Sequence, residues 1–131
     1  MRYLLDTNAV IQFLNQPAGK LTMHVLRHRS DDIVTSSIVM HELYLGVYKS
    51  SRPARNLAVL EALSFKTLAF DREDARHAGV IRAQLEREGK PIGPYDVLIA
   101  GQALRHELAL VTANTREFKR IPGLVCEDWS R

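Results

Sequence analysis

A single cysteine, Cys126, stands in a chain of 131 residues. One thiol closes no intramolecular disulfide, so a disulfide-stapled secreted scaffold is excluded and a reducing compartment is the default. No run of about 18 apolar residues occurs, which argues against a membrane-spanning helix. The chain reaches an acid, Asp6, after only a few apolar residues, unlike a secretory leader. A cytoplasmic protein with no membrane partner is the expectation. Signatures of several enzyme classes are also missing. Gly89-Lys90 lacks the other glycine and the Ser/Thr of a phosphate-binding loop. There is no Gly-x-Ser-x-Gly elbow, and Cys126 has no evident histidine partner. His24 and His28 have the four-residue spacing of helical metal ligands, but no third ligand accompanies them, so they read as surface residues rather than a zinc site.

What is present is a chain that can build a core. Apolar residues make up 46% and charged residues 25%, which fits one ordinary domain spanning residues 1–131. The net charge of +3 is compatible with nucleic acid without being diagnostic. Tyr3-Leu4-Leu5 reads as a short buried strand ended by Asp6. A helix with Val10, Ile11 and Leu14 follows, then another with Leu21, Val25 and Leu26. Ile33-Val34-Thr35 is a second strand, and Ser36 or Ser37 caps a helix carrying Ile38, Val39, Leu43 and Val47 inward. Pro53 starts a further helix. Thr67 to Phe70 reads as a third strand. Asp71 caps a long helix to about Glu88, with Asp74 three residues on and Ala75, Ala78, Ile81 and Leu85 on one face. From Tyr95 to about His106 apolar residues cover most of a helix's circumference, as in an element buried on several sides. Leu108 to Thr112 is a fourth strand, Asn114 to Lys119 a short helix, and Val125 belongs to a final edge strand. This alternation predicts an α/β fold, a parallel sheet of four to five short strands with helices on both faces.

The acids fall at element junctions. Asp6 ends the first strand, Glu42 lies early in the helix after the second, Asp96 lies in the first turn of the buried helix, and Asn114 and Glu117 follow the fourth strand. In an open parallel sheet these positions share the carboxyl edge, where ligands bind. Any one of them is explained by helix capping or the helix dipole. Together they are not, because like charges about 4–6 Å apart repel by a few kcal/mol at an effective dielectric near 20. Something must neutralise such a cluster, and oxygen-only ligands favour Mg²⁺, or Mn²⁺, over zinc.

Four stretches carry a resemblance to a known family. Leu5-Asp6-Thr7-Asn8 resembles the opening of PIN-domain nucleases, and His41-Glu42-Leu43-Tyr44-Leu45-Gly46 resembles their second acidic motif. Ile92-Gly93-Pro94-Tyr95-Asp96-Val97-Leu98-Ile99-Ala100 resembles the third. The run from Leu110 through Asn114-Thr115-Arg116-Glu117-Phe118, with Glu127-Asp128-Trp129, resembles the fourth motif and the tail of VapC toxins. The resemblance spans essentially the whole chain and implies a PIN fold and a Mg²⁺-dependent endoribonuclease, the toxin of a VapBC-type pair. It also implies a homodimer, silenced by a small VapB-type antitoxin, with structured RNA such as tRNA as substrate. Carried over by position, Asp6, Glu42 and Asp96 bind metal. Many PIN domains have a fourth acid where this chain has Asn114, and in closer relatives Glu117 fills that role.

These roles make a testable scheme. Asp6 and Asp96 hold a first ion, Glu42 binds through water or orients the attacking water, and Glu117 helps place a second. Asn8, Thr112 and Asn114 are neutral groups that orient carboxylates or phosphate. Arg116, Lys119 and Arg120 are candidates for RNA phosphates, with Lys49, Arg52 and Arg55 as a second patch. The apolar helices between Leu21 and Leu63 offer either core or a dimer and antitoxin surface, which spacing alone does not separate. Two alternatives stand beside the toxin: a housekeeping PIN nuclease of ribosomal RNA, and a non-catalytic module. Of the latter, a catalytically dead RNA-binding PIN domain would have lost principal acids, and a receiver-like phospho-acceptor would need Asp71, which reads better as a helix cap.

Overall fold

The computed structural model describes all 131 residues. Five strands form one parallel sheet in the order β3-β2-β1-β4-β5. They are β1 (Tyr3–Leu5), β2 (Ile33–Ser36), β3 (Lys66–Leu68), β4 (Ala109–Val111) and β5 (Cys126–Glu127). Seven helices accompany them: α1 (Thr7–Asn15), α2 (Lys20–Leu26), α3 (Ser37–Lys49), α4 (Pro53–Glu61), α5 (Arg72–Arg87), α6 (Pro94–Arg105) and α7 (Thr115–Phe118). Successive crossovers run outward from β1 through β2 to β3, then return to the other side of β1. Right-handed connections therefore put α1–α4 on one face and α5–α7 on the other. The order reverses between β1 and β4, so the crevice of the fold opens at their carboxyl ends.

The central strands are buried because both faces are covered. Leu4, Leu5, Val34, Leu110 and Val111 are fully inaccessible, and Leu4 pairs with Val34 on one side and Leu110 on the other. The edge strands differ. β3 runs Lys66–Leu68 rather than Thr67 to Phe70, and its first two residues are exposed. Ala69 and Phe70 fall past the ladder; the Phe70 amide donates to Ser37 Oγ instead. β5 covers Cys126–Glu127, and Val125 joins through its carbonyl, which accepts from the Leu110 amide.

Two helices fix the second face. Helix α6 is buried along Val97, Ile99, Ala100, Gly101, Gln102 and Ala103, as its apolar circumference predicts. Its neighbour α5 turns Asp74, Ala78, Ile81 and Leu85 inward. Ala75, expected on that face, is exposed, because the buried stripe starts one residue earlier at Asp74. The helices touch at Gly101, where an added Cβ would lie 2.7 Å from the Ala78 backbone. A side chain there would force the pair apart, a typical overpacking penalty of about 1–3 kcal/mol.

The carboxy terminus is fastened from an unexpected direction. Trp129, 2% exposed, stacks on His24 and His28, with ring centroids 4.9 Å away in each case. These histidines are packing residues, not the surface residues that their spacing alone suggested. Between Leu21 and Leu63 the structure separates core from surface. Leu21, Val25, Val39, Leu43, Val47 and Leu60 are buried within the chain, while Met23, Leu26, Leu45, Tyr48 and Val59 remain exposed. No helix is long and apolar enough to cross a membrane.

Candidate active site

Asp6 leaves β1 with extended backbone and caps α1, its Oδ1 accepting from the Ala9 amide at 2.9 Å. Its own amide donates to the Val111 carbonyl, so the sheet ladder holds the residue from behind. The carboxyl is only 7% exposed. Burial pushes its pKa up, the neighbouring Glu42 and Asp128 charges add to this, and the Thr112 hydroxyl and Ala9 amide pull the other way.

Three further acids face it. Glu42 lies one turn into α3, where its Oε1 accepts from the Thr7 hydroxyl at 2.8 Å. Asp96 lies in the first turn of α6, half-buried, its carboxyl pushed up to about 6. Burial is the main cause, followed by the Asp6, Glu42 and Glu117 charges. Glu117 projects from α7, held by the Asn114 side-chain amide at 2.8 Å. The four acids expected from the sequence thus stand in one another's field at the carboxyl edge of β1 and β4. None of them has a Lys, Arg or His within salt-bridge distance.

The neutral candidates fall in different places. Thr112 is buried beside Asp6, and its Oγ1 also accepts from the Asn114 amide. Asn114 supports Glu117 rather than replacing it. Asn8 is exposed and lines a neighbouring hollow of about 330 Å³ with Gln12, Thr112 and Asp128. Among the basic candidates, Arg116 on α7 and Lys119 just past its end are exposed, whereas Arg120 donates to the Pro91 carbonyl and so braces the loop that leads into α6. Lys49, Arg52 and Arg55 are exposed. Two residues escaped the sequence reading of the site. Thr7 has no role in that reading beyond its place in the first motif, yet its hydroxyl anchors Glu42 across 35 positions. Asp128, in the tail, adds its charge beside Asp6.

The donor set fits a hard cation of a particular kind. All of the ligating atoms on offer are carboxylate oxygens, and burial together with the charges of Asp6, Glu42 and Glu117 pushes the Asp96 carboxyl up. No three His, Cys, Asp or Glu side chains close on one point as a finished cage would. Mg²⁺ needs no such cage; it keeps several waters and binds through one or two carboxylates and a substrate's phosphates.

Residues 3–124 match the family model described as PIN domain. The chain is 42% identical over 133 residues to the tRNA(fMet)-specific endonuclease VapC of Shigella flexneri, with 99% of each covered. Among solved structures it resembles DNA-bound VapBC from Salmonella typhimurium, with a TM-score of 0.92, 41% identity and 98% of each chain covered. VapBC2 of Rickettsia felis bound to a promoter DNA fragment superposes with a TM-score of 0.90 at 34% identity, covering 98% of this chain and 99% of that one.

Proposed function

The chain belongs to the PIN-domain family, and within it to the VapC ribonucleases; we propose that it is the toxin of a VapBC-type pair, a Mg²⁺-dependent endoribonuclease that cuts tRNA. One observation carries the reading: at the crevice of the sheet Asp96 feels the charges of Asp6, Glu42 and Glu117, and none of the four has a cation of the chain's own within salt-bridge distance. Relatives named for tRNA(fMet) cleavage support the substrate class, and relatives crystallised as VapBC support a VapB-type antitoxin as partner. A cytoplasmic location follows from such a substrate. A homodimer, implied by the resemblance to VapC toxins, belongs to the same reading.

The reaction is in-line attack of water on an RNA phosphodiester. Asp6 and Asp96 would hold the cation, and Glu42 completes the charge around it. When bound there, the metal supplies Lewis acidity toward the phosphoryl oxygens and hydroxide near neutral pH. The chain's own groups supply order. The Thr7 hydroxyl fixes the Glu42 carboxylate, which would orient the attacking water. The sheet ladder and the Ala9 amide fix Asp6. Asn114 steadies Glu117 at the rim. Arg116 on the same short helix as Glu117, and Lys119 at its end, are exposed and would meet the phosphates beside the cut.

The test is cleavage of total RNA by the purified protein with Mg²⁺, with EDTA, and after Asp6→Asn. Discrete fragments from tRNA are expected, lost in EDTA and reduced more than about 100-fold in the variant, beyond the usual effect of losing an outer-shell partner. Equal cleavage by Asp6→Asn would refute the assignment.

A further inference from the structure

We propose that His41 and Tyr95 form a stacking platform for an unpaired base of the RNA, next to the phosphate held at the acids. The inference rests on the reading of the chain as a ribonuclease and names what the same site does with the nucleotide beside the cut.

Each ring is adjacent in sequence to a site acid. His41 precedes Glu42 on α3, and Tyr95 precedes Asp96 on α6. The two helices come from different parts of the chain, yet the rings meet with centroids 5.7 Å apart and planes inclined at 47°. Such an angle is an open wedge and not a closed stack. Tyr95 remains 45% exposed despite its neighbour, and His41 is exposed as well. Large aromatic surface left open on the residues next to two of the acids is what single-stranded nucleic acid uses, since every base offers a π-face.

The other aromatic pair on α3 does not have these properties. Neither Tyr44 nor Tyr48 adjoins a site acid in sequence, and the Tyr44 hydroxyl donates to Glu61, a carboxylate that would repel an RNA backbone. Only the His41–Tyr95 wedge adjoins the acids on both of its sides. A base stacked there would have to be unpaired, so the platform selects loops and unstacked ends over duplex.

The experiment uses the full-length protein and an oligoribonucleotide spanning the cut mapped on total tRNA. Tyr95→Ala and His41→Ala are each expected to raise KM by roughly 10-fold, within the usual range for one base–aromatic stack, with kcat little changed. Tyr95→Phe restores the low KM, and Tyr95→Leu does not. An abasic nucleotide is then moved through the positions flanking the cut. At one position it should raise the wild-type KM to that of Tyr95→Ala and leave the variant's KM unmoved. If abasic RNA weakens wild type and variant equally at every position, the platform is refuted, even if Tyr95→Ala alters KM by another route, such as a change in oligomeric state. Unchanged KM in both alanine variants refutes it too, with the nuclease itself intact. If wild-type protein cuts no RNA, the ribonuclease reading falls and the platform with it.

Discussion

Helix α6 carries a group of acids at each of its ends, and the two groups are handled in opposite ways. At the carboxyl end, Asp71 and Asp74 of α5 meet Arg105, whose guanidinium lies 2.5 Å from Asp71 and 3.1 Å from Asp74. His106 stands 3.3 Å from Asp74, and Gln102 donates to it at 3.2 Å. Those carboxylates are answered by the chain. At the amino end, Asp96 faces Asp6, Glu42 and Glu117, and the only partners are neutral: Thr7, Thr112, the Ala9 amide and Asn114. The same residue types serve cohesion where a cation is supplied and stand uncompensated where it is withheld. The contrast also appears in the pKa directions, since Asp71 is held down to about 2 while Asp96 is pushed up to about 6.

The comparison breaks first at its structural end. Asp74 is fully buried, and Asp74→Ala would take away one of the two carboxylates that Arg105 holds, leave the His106 and Gln102 side chains without theirs, and open the capping box that starts α5. Breaking a buried pair by removing one partner typically costs about 3–5 kcal/mol. Chemical denaturation should show a loss near the lower figure, about 3 kcal/mol, because Arg105 keeps some access to water. A loss below about 1 kcal/mol, the level of a surface pair, would mean that the cluster is ornamental.

Thr7→Val sharpens the other end. It removes the donor to Glu42 while keeping the side chain's shape. Cleavage should fall by about 10-fold, the lower bound for losing a group that orients a ligand, with the melting temperature nearly unchanged. Full activity would show that Glu42 needs no orienting.

The smallest effect is a pH dependence. Arg105 depresses the Asp71 carboxyl in the folded state, so its contribution is complete above pH about 4 and fades as pH falls toward 2. Asp71→Asn should therefore melt below wild type at pH 5, with the gap closing as the pH approaches 2. A constant gap across that range would place the pair's effect elsewhere.

What the sequence made legible follows from distance along the chain. Asp6, Glu42 and Asp96 could be placed because each is tied to its own element's end, and parallel topology brings those ends to one edge. The Asp71–Asp74 capping box could be read for the same reason, its members being three residues apart. Arg105 could not be matched to Asp71, 34 positions away, because only the crossing of α5 and α6 brings them together. The Thr7–Glu42 bond and the stacking of Trp129 on His24 and His28 are likewise products of packing. On α5, Ala78, Ile81 and Leu85 turn inward as their spacing predicts; only the first turn differs, where a buried Asp74, paired across the interface, takes the place expected of Ala75 because it does not look apolar in sequence.

At the amino end of α6, burial and the neighbouring charges together work against the ionised acids, a cost that a bound cation would relieve. Asp96 is raised in the folded state, so its ionised form works against folding above pH about 6. The most direct test is the melting temperature at pH 7.5 of wild type and Asp96→Asn, each in EDTA and in Mg²⁺. In EDTA the variant should be more stable by about 1 kcal/mol, the open side of the site screening the rest of the repulsion. Mg²⁺ should raise the wild type and leave the variant nearly unmoved. A variant less stable than wild type in EDTA, or a wild type indifferent to the ion, would contradict the account.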